Sequence, residues 1–169
     1  MNKTKINKLV NCIKKCDKDE YIHSIKKLKF TIDDFKGIIH FSSKKYTRTC
    51  IAENDNFELI LLAWSKGQKT PIHNHDGHEG FVYAIDGKIK EVIYLLNTET
   101  NELEKQGEAI LNVNEISYAE KNMNGFHTIE NISGHDTLTL HLYKKPIKEC
   151  LILENDELVT KQMVNDFMV

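Results

Sequence analysis

The 169 residues are 40% hydrophobic, enough to bury the core of one domain of ordinary size. Basic side chains number 23 against 25 acidic ones, and a formal net charge of −2 gives no field to attract nucleic acid or an anionic membrane. Lys8, Lys14 and Lys15 break up the N-terminal apolar residues before they reach signal-peptide or membrane-span length, so a cytoplasmic protein is expected.

In chain order, Leu9, Val10, Ile13, Tyr21, Ile22, Ile25 and Leu28 recur between lysines at helical spacing, which predicts an amphipathic helical region over 7–29. A further short helix is expected at Thr31, where Asp34 occupies the capping-box position. From Lys45 the texture changes to short β-rich runs, Phe57 to Trp64, Phe81 to Ile85, Ile89 to Leu96 and Thr137 to Tyr143. Asp86-Gly87, between two such runs, predicts a type I′ hairpin that fixes a strand register. The clusters at 97–101, Asn122-Met123-Asn124-Gly125 and 133–136 are further turns, at the spacing of a sandwich or barrel. One domain is expected over 1–169, with a helical cap over 1–42 and a β-barrel over 43–169.

Cys12, Cys16, Cys50 and Cys150 form no CxxC pair, so neither a structural zinc nor a disulfide framework is expected. Cys12 and Cys16, at i, i+4, are read as small residues on a Lys-rich helix.

His73 and His75 lie two apart in an expected strand, where the period of two points both imidazoles to one face. Such a pair needs one more ligand to bind a first-row metal tightly, but it is equally compatible with barrel-lining histidines that only hydrogen-bond. Thr139, His141 and Tyr143 alternate with leucines, which sets a hydroxyl, an imidazole and a phenol in a row on one strand face. Tyr46 and Arg48 share a face in the same way. Arg48 is the only arginine among the 23 basic residues, which suits either a bidentate carboxylate contact or an ordinary surface position. His78 and His135 fall in polar, turn-like contexts and are expected to be solvated.

Gly67 stands before His73 and Gly87 after His75 as in the first cupin motif, and Gly125-Phe126-His127 with Asn131 resembles the second. Cupins are small jelly-roll β-barrels, so a mainly β fold is implied in which His73, His75 and His127 meet inside the barrel. Many cupins add a glutamate ligand, but the family's interval to the Asp86-Gly87 turn places Gly80 there, and Glu79, its neighbour in a strand, faces away.

Tyr46-Thr47-Arg48, Pro71-Ile72-His73-Asn74-His75, Gly125 to Asn131, Leu140 to Tyr143 and the position of Trp64 together resemble cysteine dioxygenase over about residues 45 to 150. The resemblance implies Fe(II) on His73, His75 and His127, Arg48 on the substrate carboxylate with Tyr46 beside it, and Tyr143, aligned by His141 and Thr139, at the oxygen site. It further implies L-cysteine and O₂ as the small-molecule reactants, cysteine sulfinic acid as the product and a monomer. The alternatives are a 3-mercaptopropionate dioxygenase, whose carboxylate-binding residue is typically glutamine, and a metal-binding cupin that is not a dioxygenase. Gly80 stands where vertebrate members carry a cysteine joined to the active-site tyrosine, so that thioether cannot form and a bacterial-type enzyme is implied. Lys144-Lys145 replaces their cis Ser-Pro pair, and non-proline cis bonds cost about 3 kcal/mol.

Overall fold

A computed structural model describes residues 1–120 and 125–169. The predicted helical region is two helices, α1 (Lys3–Lys15) and α2 (Lys18–Leu28). The break has a local cause in Asp17, whose side chain accepts from Glu20 N while Glu20 reaches back to Asp17 N, a capping box that restarts the helix. The short helix after Thr31 is a 3₁₀ turn, Ile32–Phe35, in which the Asp34 carboxylate accepts from Thr31 N and Oγ1.

Eleven strands follow among the described residues: β1 (Thr47–Asn54), β2 (Phe57–Trp64), β3 (Gly80–Ala84), β4 (Ile89–Asn97), β5 (Glu102–Leu111), β6 (Ile116–Ala119), β7 (Gly125–Asn131), β8 (Thr137–Tyr143), β9 (Glu149–Glu154), β10 (Glu157–Gln162) and β11 (Phe167–Met168). One wall of the barrel is a six-stranded sheet in the order β11-β1-β2-β8-β3-β6. The other combines β5-β4-β7 with the β9-β10 pair, joined where His73 bridges both His127 and Ile152. This is a jelly-roll barrel of the cupin type with helices at its N-terminal end.

Strand alternation gives the six-stranded sheet two buried faces. Leu59, Leu61, Phe81, Tyr83, Leu138, Leu140 and Leu142 point outward and are covered by Ile6, Leu9, Ile13, Tyr21 and Ile25 of the helices. Ile60, Leu62, Trp64, Val82, Ala84 and Tyr143 point inward and meet Ile89, Leu111 and Ile129 of the opposite wall. A two-faced sheet explains why β2 and β8 are buried at every position.

The Asp86-Gly87 hairpin is not formed. β3 pairs with β6 and β8, and β4 pairs with β5 and β7, so the dipeptide carries the chain from one wall to the other. Gly87 alone has positive φ, at 70°, and a Cβ there would meet the Ser133 hydroxyl and stand 2.8 Å from Thr137 Oγ1. The glycine therefore serves a crossing and a close approach, which a hairpin signal mimics. The 97–101 turn does close a hairpin, β4 to β5, with Asn97 Oδ1 accepting from Glu99 N and Thr100 N. The 133–136 turn links β7 to β8. Of the predicted turn at 122–125, only Gly125, which opens β7, lies within the described residues. No peptide bond among them is cis.

Candidate metal centre

The segment 71–75 is not a strand, as was expected for His73 and His75, but an extended stretch tied down on both sides. His73 and His127 exchange backbone hydrogen bonds of 3.0 and 2.8 Å, Leu153 N donates to Ile72 O, and Asn74 N donates to Leu151 O while Asn74 Oδ1 accepts from Leu151 N. Pro71 brings no N–H to a ladder, and Asp76 and Gly77, both at positive φ, turn the chain away after His75. Extended backbone still alternates, so Asn74 faces β9 while the two imidazoles face the barrel. There they meet His127 of β7, with ring centroids 4.6 to 5.4 Å apart.

Two of the three rings are held through their outer nitrogens. His73 Nδ1 lies 3.0 Å from the Pro71 carbonyl, which only accepts, so Nδ1 carries the proton and Nε2 is bare. His127 Nδ1 lies 2.6 Å from Glu91 Oε1 and donates to it. His127 Nε2 lies 3.0 Å from His75 Nε2. Two nitrogens each about 2.1 Å from one ion and at right angles to each other stand about 3.0 Å apart, so this spacing fits adjacent positions on an octahedral metal. Burial, followed by the neighbouring imidazoles, lowers the His73 pKa to about 3 and that of His75 well below its usual value, which leaves both in the neutral form that ligates. The donor set of His73, His75 and His127 thus fits one divalent ion. Among the described residues Glu79 is outside this group and lies beside Tyr118 and Tyr21.

Glu91 was not singled out from the sequence. Burial is the largest single influence and disfavours its charge, but the hydrogen bond and charge attraction from His127 and a hydrogen bond from Ser117 together outweigh it and hold the pKa below the usual glutamate value. Its signal was available in the alternation of β4, which puts a carboxylate on the same side as the fully buried Ile89.

The Thr139-His141-Tyr143 row lies inside the barrel, and Trp64 extends it. Trp64 Nε1, a donor only, gives its hydrogen to Thr139 Oγ1 at 2.8 Å. Thr139 then donates to His141 Nε2, also at 2.8 Å, which leaves the His141 proton on Nδ1, 3.4 Å from the Tyr143 hydroxyl. The chain of donors ends on the phenol and leaves the phenol's own proton uncommitted. Burial pushes the Tyr143 pKa up to about 12 against the pull of the Arg48 guanidinium, so the phenol is a proton donor at neutral pH. Its ring stands edge-on to His75, centroids 4.9 Å apart.

Arg48, on β1, is buried, and its Nε has no hydrogen-bond partner among the described residues. Tyr46 packs against Trp64, ring centroids 4.6 Å apart and tilted by 30°, and borders the same face. The structure therefore brings Arg48, His73, His75, His127, Thr139, His141 and Tyr143 together inside the barrel, with Tyr46 packed beside them. His78 borders a small opening, with Asn74, Ser117, Tyr118 and Phe126, onto the exposed side of His75 and His127. His135 is exposed and lies 3.1 Å from an Asp86 carboxylate oxygen. All four cysteines are free thiols.

The family model for cysteine dioxygenase type I matches residues 4–155. Human cysteine dioxygenase type 1 is 32% identical over 113 residues, covering 65% of this chain and 56% of the human protein. The zebrafish enzyme is 28% identical over 121 residues, covering 69% of this chain and 60% of its own length. The chain thus matches somewhat more than half the length of these relatives. In three dimensions it is similar to TT1209 of Thermus thermophilus, with a TM-score of 0.53 and 20% identity over 66% of this chain and 94% of that one, a likeness of fold. No described helix is long and apolar enough to cross a membrane. With its three imidazoles grouped at the positions that the sequence motifs mark, the chain belongs to the cysteine dioxygenase type I family of the cupin superfamily.

Proposed function

We propose that this chain is a thiol dioxygenase that holds Fe(II) on His73, His75 and His127 and converts L-cysteine and O₂ to cysteine sulfinic acid, both oxygen atoms ending on sulfur. The observation that carries the reading is the juxtaposition of three imidazoles, grouped without a carboxylate among the described residues, with a buried arginine whose Nε–H is unpaired. Bound iron would supply a Lewis acid that lowers the thiol pKa and a centre that activates O₂, and three uncharged ligands leave it more positive than a carboxylate-containing set would.

The remaining roles belong to the chain. Arg48 offers a planar pair of donors to a carboxylate, and the otherwise unpaired Nε–H gains a partner only when such a group arrives. Tyr46 borders the carboxylate position and adds a hydrogen bond. Tyr143, held by His141, Thr139 and Trp64, directs its free proton toward charge developing on the oxygen or sulfur of the reactants. Ile60, Leu62 and Val82 exclude water around them. The reading takes 1–169 as one cupin domain, the helical cap over 1–42 included, acting on small molecules as a monomer.

A 3-mercaptopropionate dioxygenase remains the second reading, and Arg48, where those enzymes typically use glutamine, favours cysteine. The test is anaerobic loading with Fe(II) followed by oxygen-electrode traces with cysteine, 3-mercaptopropionate and cysteamine in parallel. Cysteine should give the highest kcat/KM. Faster uptake with 3-mercaptopropionate would move the substrate assignment, and no uptake with any thiol would overturn the reading.

A further inference from the structure

A second group of potential metal ligands, separate from the three imidazoles, lies on the same six-stranded sheet. Cys50, Glu53 and Glu58 each place one ligand atom within 4.8 Å of the others. Residues 50 and 53 are an odd number apart and would face opposite sides of a regular strand. The bulge between Cys50 and Ala52 removes this opposition, so that Cys50 pairs with Ile60 and Glu53 with Glu58. Because Ile60 and Glu58 alternate onto one face of β2, thiol and carboxylates converge. Neither Glu53 nor Glu58 forms an ion pair among the described residues.

Glu58 supplies the independent observation. It is 4% exposed, its Oε1 accepts from Asn165 Nδ2 at 2.8 Å, and its Oε2 is buried with no partner. A carboxylate so far from water needs a proton or a cation. The Asn165 amide oxygen is likewise buried and unpartnered. The polypeptide closes over this corner, because β11 pairs alongside β1 with Met168 opposite Cys50, and Val169 N donates to Cys50 O. Glu53, exposed, leaves one side open to solvent.

We propose that Cys50, Glu53 and Glu58 bind a divalent cation of borderline softness, of the Zn(II) type, at a second site distinct from the three histidines. One thiolate with two carboxylates selects for such an ion over Mg(II) or Ca(II), which avoid sulfur, and a tetrahedral ion takes its fourth ligand from the Asn165 amide oxygen or from water. The Cys50 Sγ–H now lies 3.7 Å from Glu53 Oε2; on binding, its proton leaves to solvent and the thiolate takes the ion.

The test uses sulfur as its reporter, to which an all-histidine site is silent, so its outcome is independent of the dioxygenase reading. In the full chain carrying Cys12→Ser, Cys16→Ser and Cys150→Ser, titration with Cd(II) should raise a saturable thiolate-to-cadmium absorption band, displaced by Zn(II) and untouched by Mg(II). Cys50→Ser should abolish the band. Glu58→Gln, equal in shape, and Glu53→Gln, at an exposed position, should each weaken Cd(II) by roughly 10- to 100-fold. No band in the parent protein, or a band whose midpoint neither glutamine variant moves, would overturn the proposal.

Discussion

A guanidinium buried beside three imidazoles gives up hydration that only a substrate or an internal partner can replace, and Arg48 lacks the partner at Nε. Arg48→Ala should therefore lower kcat/KM for cysteine by about ten- to a hundred-fold, the equivalent of about 1.5 to 3 kcal/mol, with metal content unchanged. Cysteamine, which has no carboxylate, should be a poor substrate that barely responds. Steady-state kinetics on the two substrates checks this, and an equal loss on both would assign Arg48 to the metal or the fold. Glu91 and Glu79 make the opposite pair. Glu91→Gln keeps the shape but removes the charge that orients His127, and should weaken divalent metal binding by about 10- to 100-fold, whereas Glu79→Ala should leave it intact. Equilibrium dialysis of the two variants separates them, and the reverse order would make Glu79 the residue that serves the site.

At the scale of elements, β3 and β8 meet where Gly80 lies opposite Tyr143. A Cβ at position 80 would collide with the Leu142 carbonyl oxygen and stand 3.0 Å from Tyr143 Cδ1. Gly80→Ala should thus destabilise the fold by about 1 to 3 kcal/mol, read from denaturant midpoints, because the obstacle is backbone and cannot rotate away. With no thiol at this position, the wild-type protein should run as a single band and show its full mass, without the loss of two hydrogens that a Tyr143 thioether entails. Much of this was legible in advance. β2 and β8 have the predicted bounds, because each is an apolar run flanked by turn residues, and the His73, His75 and His127 set follows from motif spacing. Two features were not. Asp86-Gly87 carries the local chemistry of a hairpin, and only the partners of β3 and β4, distant in sequence, reveal a crossing between walls. The strand expected at 73–75 shares its alternation with any extended segment, so period two found the correct face without identifying the element.

The whole molecule carries its buried histidines as a liability in acid. Unfolded, His73 and His141 would bind protons near pH 6.5; folded, burial first and the surrounding charges next hold both pKa values down, His73 to about 3. The unfolded chain therefore binds more protons between these limits. Stability of the metal-free protein is fully retained above about pH 6.5 and falls as the pH drops toward 3, with His73 alone contributing a loss of about 2 kcal/mol between pH 7 and pH 5. Denaturant midpoints measured in the presence of a chelator across that range should show the decline, with His141→Asn flattening it. A midpoint independent of pH would mean that the folded and unfolded chains bind protons alike, so that burial does not hold these imidazoles' pKa values down.

The two-sided sheet has a further consequence for how this chain can change over generations. Along β8 every residue that serves the site is flanked by one that serves the helical core, Leu138, Leu140 and Leu142 facing outward and Thr139, His141 and Tyr143 inward. Losing or gaining a single codon within this strand would exchange the two sets, delivering leucines to the metal side and a hydroxyl, an imidazole and a phenol to the apolar layer under α1 and α2. Drift in β8 is thereby confined to replacement in place, while length variation is diverted to the loops at the strand's two ends.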